Sequence, residues 1–159
     1  MKVRLSDPAD QFALQPLFLH QRQHRHPCAS LSVVAQDALD DQQSTIDVID
    51  LFGGVLMVCE DASGSLVGMA TLTLTGRYPV PADECAMRLR VTQDTEAKPA
   101  QLMSVWVEPG HRRSGAGTRL VGAVINWARE RGVTQVLLTH DPTAAYLGTF
   151  YRHLGFEPC

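Results

Sequence analysis

The chain has 159 residues, a mass of 17.4 kDa and 45% apolar residues, which suits one domain able to bury close to ~70% of its unfolded surface without disulfides or metal. A net charge of −3 and a pI near 6.0 argue against a nucleic-acid binder, and no apolar run approaches the ~18 residues of a membrane span. Met1 to Pro8 shows neither the apolar core nor the cleavage site of a secretory signal, so the expectation is a cytoplasmic protein; Cys28, Cys59, Cys85 and Cys159 form no CxxC pair, so neither a disulfide frame nor a zinc site is expected.

In chain order, Val3 to Leu5 makes a short first strand. Ser6 or Asp7 followed by Pro8 marks a helix start, and Phe12, Leu14, Leu17 and Phe18 supply its apolar side, with Pro16 expected to kink or split it. A polar end from His20 to His26 closes at Pro27. Ser30 or Ser32 caps a second helix through Leu39, with Val34/Ala38 and Ala35/Leu39 spaced by four. Ile46 to Phe52 is ambiguous, and Gly53-Gly54 breaks the chain. Val55 to Cys59 and Leu66 to Thr75 form a hairpin about a turn at Asp61 to Ser65. Arg77 to Ala100, with Pro79, Pro81 and Pro99, is a long polar loop in which Met87 to Val91 can make a short strand. Leu102 to Val107 is a strand stopped by Glu108-Pro109-Gly110. Gly115 to Arg131 is an amphipathic helix on Leu120, Val124, Trp127 and Ala128, ended by Gly132. Val133 to Thr139 is a strand. After Asp141-Pro142 a last helix carries Tyr146, Leu147, Phe150, Tyr151 and Leu154 on one side; Gly155 ends it and Phe156 opens a final strand. The expected class is α/β (α+β): one domain over residues 1–159 with a central mixed, mostly antiparallel sheet and helices on both faces.

The mild net charge hides a division. No Lys or Arg lies between Arg25 and Arg77, a stretch holding Asp37, Asp40, Asp41, Asp47, Asp50, Glu60 and Asp61, whereas basic residues are densest at Arg112, Arg113 and Arg119. Beyond a solvated face, this pattern offers one pole to an anionic ligand and another to a cationic one. The anionic pole has a local basis. In Val105-Trp106-Val107-Glu108-Pro109-Gly110-His111-Arg112-Arg113-Ser114-Gly115-Ala116-Gly117-Thr118 a strand enters a Gly-rich turn that opens a helix. Such a turn presents unpaired N–H groups at the positive helix end, arginines grip phosphate with two donors, and the hydroxyls of Ser114 and Thr118 add further partners. It is neither a Walker loop nor the GxGxxG dinucleotide fingerprint.

Arg112-x-x-Gly115-x-Gly117 after a strand ending Val107-x-Pro109 resembles the acetyl-CoA signature of the GCN5-related N-acetyltransferases, the GNAT superfamily. Phe150-Tyr151-Arg152-His153-Leu154-Gly155-Phe156 is similar to that family's final helix. The resemblance implies that Arg112, Arg113, Ser114, Gly115, Ala116, Gly117 and Thr118 hold the pyrophosphate of acetyl-CoA. Val105, Trp106 and Val107 would pair with its pantetheine arm through backbone groups, and Tyr151 would protonate the leaving thiolate. No metal is implied, and His20, His24, His26 and Cys28 are not expected to bind one. Three departures stand out: Ala144 and Leu147 where the family often has Asn and Ala, a long segment before the fourth strand, and a C-terminal hairpin that is short or missing. The last departure leaves a truncated end, an open edge, or a partner chain, as in a homodimer, to complete the sheet.

The implied reaction is direct attack of a primary amine on the thioester. Glu108 and His140, with Asp141, end the two central strands and are the candidates for removing the amine's proton, each weighed against an ordinary solvated role. The acidic stretch would select a cationic acceptor: a polyamine-like molecule, an aminoglycoside or a peptide amine. The alternatives are a non-catalytic acyl-CoA-binding or regulatory module on the same fold, and an enzyme using a longer acyl chain.

Overall fold

The computed structural model describes residues 1–74, 84–94 and 96–159. Thr75, expected to end the hairpin, and Arg77, Pro79 and Pro81 of the expected loop lie outside the described residues. The strands are β1 (Lys2–Leu5), β2 (Gly54–Glu60), β3 (Leu66–Thr73), β4 (Cys85–Arg90), β5 (Pro99–Val107), β6 (Gln135–His140) and β7 (Glu157–Pro158). The helices are α1 (Gln11–Arg25), α2 (Leu31–Phe52), α3 (Ala116–Glu130) and α4 (Ala145–His153), with single 3-10 turns at Pro8–Asp10 and Pro109–His111. Seven strands form one sheet in the order β1-β2-β3-β5-β6-β4-β7. Among the described residues only β5 and β6 pair in parallel; the other pairs are antiparallel.

The start of α1 follows its local code. The Asp7 carboxylate accepts the Ala9 amide at 2.8 Å, and the Asp10 carboxylate accepts the Asp7 amide at 2.8 Å, a reciprocal capping box. Pro16 does not split α1, which runs unbroken to Arg25. The carbonyl that Pro16 cannot reach belongs to Phe12, which is 81% exposed, so water can serve it. Phe12 accordingly leaves the apolar side expected for it, while Leu14, Leu17 and Phe18 are buried. α2 does not stop at Leu39; the ambiguous Ile46–Phe52 segment completes it. Its inward stripe is Val34, Ala38, Gln42 and Thr45, and the two polar residues mask the helical period. Each bonds to backbone: Gln42 Nε2 donates to the Gln11 carbonyl at 2.8 Å, and Thr45 Oγ1 donates to the Asp41 carbonyl at 2.8 Å, while Gln42 Oε1 has no partner among the described residues. Leu39 faces out, and Gly53, at φ 84°, ends the helix.

Alternation along the strands sends side chains to two layers. Leu56, Val58, Met69 and Trp106 pack with Leu14, Leu17 and Phe18 of α1 and Ala38 of α2. Val55, Met57, Ala70, Leu72, Ala100 and Leu102 pack with α3 through Leu120, Val121 and Val124, and this layer continues to Val136, Leu138, Tyr151 and Phe156. Trp127 is only half-buried, with Arg131 over its ring at 3.8 Å. On α4, Tyr146 leaves the expected apolar side and is 57% exposed.

Two irregularities shape the middle of the sheet. Pairing of β3 with β5 slips between Met69↔Trp106 and Thr71↔Met103, and Ser104 in the slipped segment has φ 51°. This bulge inverts the side-chain parity of β5. Ala100 and Leu102 face α3 before it, Val105 and Val107 face α3 after it, and Trp106 turns to the α1 layer. The second irregularity is the pairing of β5 with β6, which stops at Gln101↔Leu137. Both strands continue beyond, to Val107 and His140, so a gap opens between their C-terminal ends. The long segment before β5 supplies β4, which lies between β6 and β7 and pairs with both. The strand beside β6 is thus drawn from this chain's own residues 85–90.

Candidate active site

The sequence-predicted residues lie on elements that flank the gap between β5 and β6. β5 leads through the Pro109–His111 turn into a tight loop in which Arg113 (φ 60°) and Gly115 (φ 85°) both take left-handed conformations. Glycine at 115 makes that turn without a Cβ penalty. α3 begins with no side-chain cap, and among the described residues the amides of Arg113, Ser114, Gly115, Ala116, Gly117 and Thr118 have no backbone acceptor. Donors at the positive end of a 15-residue helix are of the kind that can serve an anion. Gly117 lies against α4: a Cβ there would stand 3.2 Å from the Phe150 ring. An added Cβ would make the Phe150 ring give by a few tenths of an ångström.

The side chains around the loop divide. Arg113 is exposed and makes no ion pair among the described residues. Arg112 instead folds back: its Nε donates to the Val107 carbonyl at 2.9 Å, and its guanidinium lies over the Trp106 ring at 4.7 Å. Ser114 Oγ donates to the His111 carbonyl. Arg112 and Ser114 therefore brace the loop in this structure, while Arg113 and the amides stay open. Along β5, residues beyond Gln101 have no partner strand on the β6 side, and the Val107 carbonyl there is taken by Arg112 Nε.

Tyr151 and His140 come together, on the α4 and β6 side. Their ring centroids are 6.4 Å apart, and Tyr151 also meets Phe150 at 5.0 Å and Phe156 at 5.6 Å, both edge-on. Burial pushes the Tyr151 phenol up to about 12, so it stays a neutral donor across the physiological range. The His140 Nδ1 donates to the Asp141 carbonyl at 3.0 Å, which leaves Nε2 as the basic nitrogen. Asp141 itself is held below the usual carboxylate range by the hydroxyl and amide of Thr143.

Glu108 stands apart from this pair, at the end of β5. Both its oxygens accept from His20 Nδ1, at 2.8 and 2.9 Å, and Oε1 also accepts from Trp106 Nε1 at 3.0 Å. One turn beyond His20 on α1, His24 tilts against Trp106 with centroids 5.5 Å apart, and its Nε2 lies 3.4 Å from the Tyr146 hydroxyl. The C-terminal end of α1 thus reaches across the gap from β5 to α4. Sequence reasoning missed this role of His20, His24 and Tyr146. His20 and Glu108 are 88 residues apart, and the only local signal was the four-residue spacing of the two histidines. No group of three His, Cys, Asp or Glu among the described residues is arranged to hold a metal.

The acidic stretch does not gather into one pocket. Asp37 and Asp41 face Arg22 at 3.4 and 3.5 Å, Glu60 pairs with Arg4, and Asp61 closes the hairpin turn by accepting from Ser63 and Ser65. α2 nevertheless carries five aspartates and no basic residue. No helix among the described residues is long and apolar enough to cross a membrane.

The model of the acetyltransferase (GNAT) family matches residues 17–156. No curated protein matches the sequence significantly. Among solved structures, a GNAT-family acetyltransferase from Staphylococcus aureus Mu50 is similar with a TM-score of 0.70 at 15% identity, over 98% of this chain and 84% of that one. An aminoglycoside 6'-N-acetyltransferase from Acinetobacter haemolyticus gives 0.65 at 15%, over 99% and 91%. The aminoglycoside N-acetyltransferase AAC(6')-Iy in complex with CoA gives 0.66 at 15%, over 98% and 91%. At such identities the likeness speaks to the fold.

Proposed function

The chain belongs to the acetyltransferase (GNAT) family, and on that premise we propose that it transfers the acetyl group of acetyl-CoA to a primary amine, a cationic small molecule or peptide amine, by direct attack on the thioester. The observation that carries this reading is the run of six open amides at the start of α3, set beside a strand edge that has lost its neighbour. The donors suit a pyrophosphate: a dense anion met by fixed N–H groups at a helix N-terminus. Arg113, which makes no ion pair among the described residues, adds a cation to the same loop. The edge of β5 beyond Gln101, which lacks a β6 partner, suits an amide-bearing arm laid into the gap as an extra strand. Acetyl-CoA supplies the activated acyl group; the chain positions it and manages protons.

In this reading Tyr151 is the acid. Held neutral by burial, it gives its proton to the departing sulfur and regains one as the new amide forms. His140, 6.4 Å away, lies on the same wall of the gap. The aspartates of α2 favour a cationic acceptor through their field rather than through one pocket.

Thiol release from acetyl-CoA across a panel of amines tests the reading. Amine-dependent release is expected, faster for cationic than for neutral amines at low salt; equal kcat/KM for the two kinds would remove the cation preference. Tyr151→Phe should lower kcat by about 10²-fold or more with acetyl-CoA binding unchanged. Binding of acetyl-CoA without turnover of any amine would instead mark a non-catalytic binding module.

A further inference from the structure

We propose that His20 takes the proton from the acceptor amine, with Glu108 as its positioning residue; this deepens the amine-acetylation reading and rests on it. As a direct base Glu108 is poorly placed, because its oxygens already accept two contacts from His20 and one from Trp106. Those contacts specify something else. A carboxylate can only accept, so the proton between the two groups belongs to His20 Nδ1. The neutral ring then carries its lone pair on Nε2, which has no hydrogen-bond partner among the described residues. The carboxylate stabilises the imidazolium that forms when Nε2 gains a proton, the orienting logic of a carboxylate–histidine pair.

The surroundings fit a working base rather than a buried strut. The Glu108 side chain is 21% exposed and held on two sides, whereas that of His20 is 44% exposed. The partner is therefore fixed while the ring stays reachable from solvent. The next turn of the same helix face places His24 on Trp106 and near Tyr146, so this face of α1 borders the gap at the C-terminal end of β5. Trp106 lies in β5 beside the gap, and its indole N–H fixes Glu108.

The protons balance without a further reagent. The ammonium gives one proton to His20 Nε2, and the free amine forms the N–C bond as the C–S bond breaks. The thiolate takes the Tyr151 proton, the new amide nitrogen returns one to the phenolate, and His20 releases its own to water.

The test is amine-dependent thiol release by the whole chain with two series: aliphatic amines, protonated near neutral pH, and anilines, already neutral there. Any amine-dependent release by the wild type bears on the acetyl-transfer reading, and its absence in both series sinks that reading and this one with it. With turnover present, His20→Ala should lower kcat/KM for aliphatic amines by about 10²-fold, leave the anilines nearly unchanged and be partly rescued by free imidazole. Glu108→Gln should show the same selectivity with a smaller loss. Equal loss in both series, or no loss with aliphatic amines, overturns the assignment. If His20→Ala no longer binds acetyl-CoA, His20→Gln is read by the same criteria.

Discussion

Asp10 shows how one residue joins local and long-range structure. Its carboxylate closes the capping box at the start of α1 and takes two hydrogen bonds from the Arg4 guanidinium, at 2.8 and 2.9 Å. The hydrogen bonds from Arg4 hold Asp10 below the usual carboxylate range. A carboxyl with a lowered folded-state pKa stabilises the fold above its unfolded value, near ~4, and that contribution is lost as pH falls through the folded value. Asp10→Asn should therefore cost about 2 kcal/mol near neutral pH, from a weakened cap and a lost charge-assisted pair. The gap between variant and wild type in urea denaturation should narrow at pH values below ~4. A gap that stays constant down to acid pH would show that the charge is immaterial. The cap was readable as Asp7 before Pro8. The partnership with Arg4 was not, because it depends on β1 lying beside the turn.

At the scale of elements, the bulge in β5 decides which side chains reach the gap. Without the residue inserted at Ser104, Trp106 would share a face with Leu102 and point at α3, and neither Glu108 nor His24 would meet it as they do. Ser104 carries the inserted geometry at φ 51°, a region that short polar residues tolerate and β-branched residues resist. Ser104→Val should destabilise the fold by roughly 1–2 kcal/mol, whereas Ser104→Gly should be neutral or mildly stabilising. Thermal denaturation of both variants separates backbone strain from loss of the hydroxyl, since the glycine variant removes the hydroxyl as well. The helices were legible where their inward stripe is apolar, as in α3. They were illegible where Gln42 and Thr45 occupy inward positions: Thr45 bonds a carbonyl of its own helix, and Gln42 reaches one on α1 that only the packed structure supplies.

At the scale of the molecule, the sheet is built out of chain order. β4 precedes β5 in sequence yet lies beyond β6, between it and β7. Met87 anchors it: the side chain is 2% exposed and belongs to the same buried cluster as Val136, Leu138, Tyr151 and Phe156. Met87→Ala should cost about 2–5 kcal/mol, and hydrogen exchange should quicken in β4 and β7 before β2 and β3. Uniform loss of protection across the sheet would mean that β4 does not act as a separable edge.

The sequence by itself determined the class of the fold and most of its elements. These follow from short-range rules: alternation, helical period, caps, and a glycine-rich turn entering a helix. The turn from Arg112 to Thr118 that opens α3 was legible for the same reason. What only the tertiary structure decided is how distant segments meet. Arg112 folds onto Trp106 rather than outward, Glu108 is claimed by His20, and residues 85–90 stand beside β6. Each depends on contacts between segments far apart in the chain, where no periodicity records the partner.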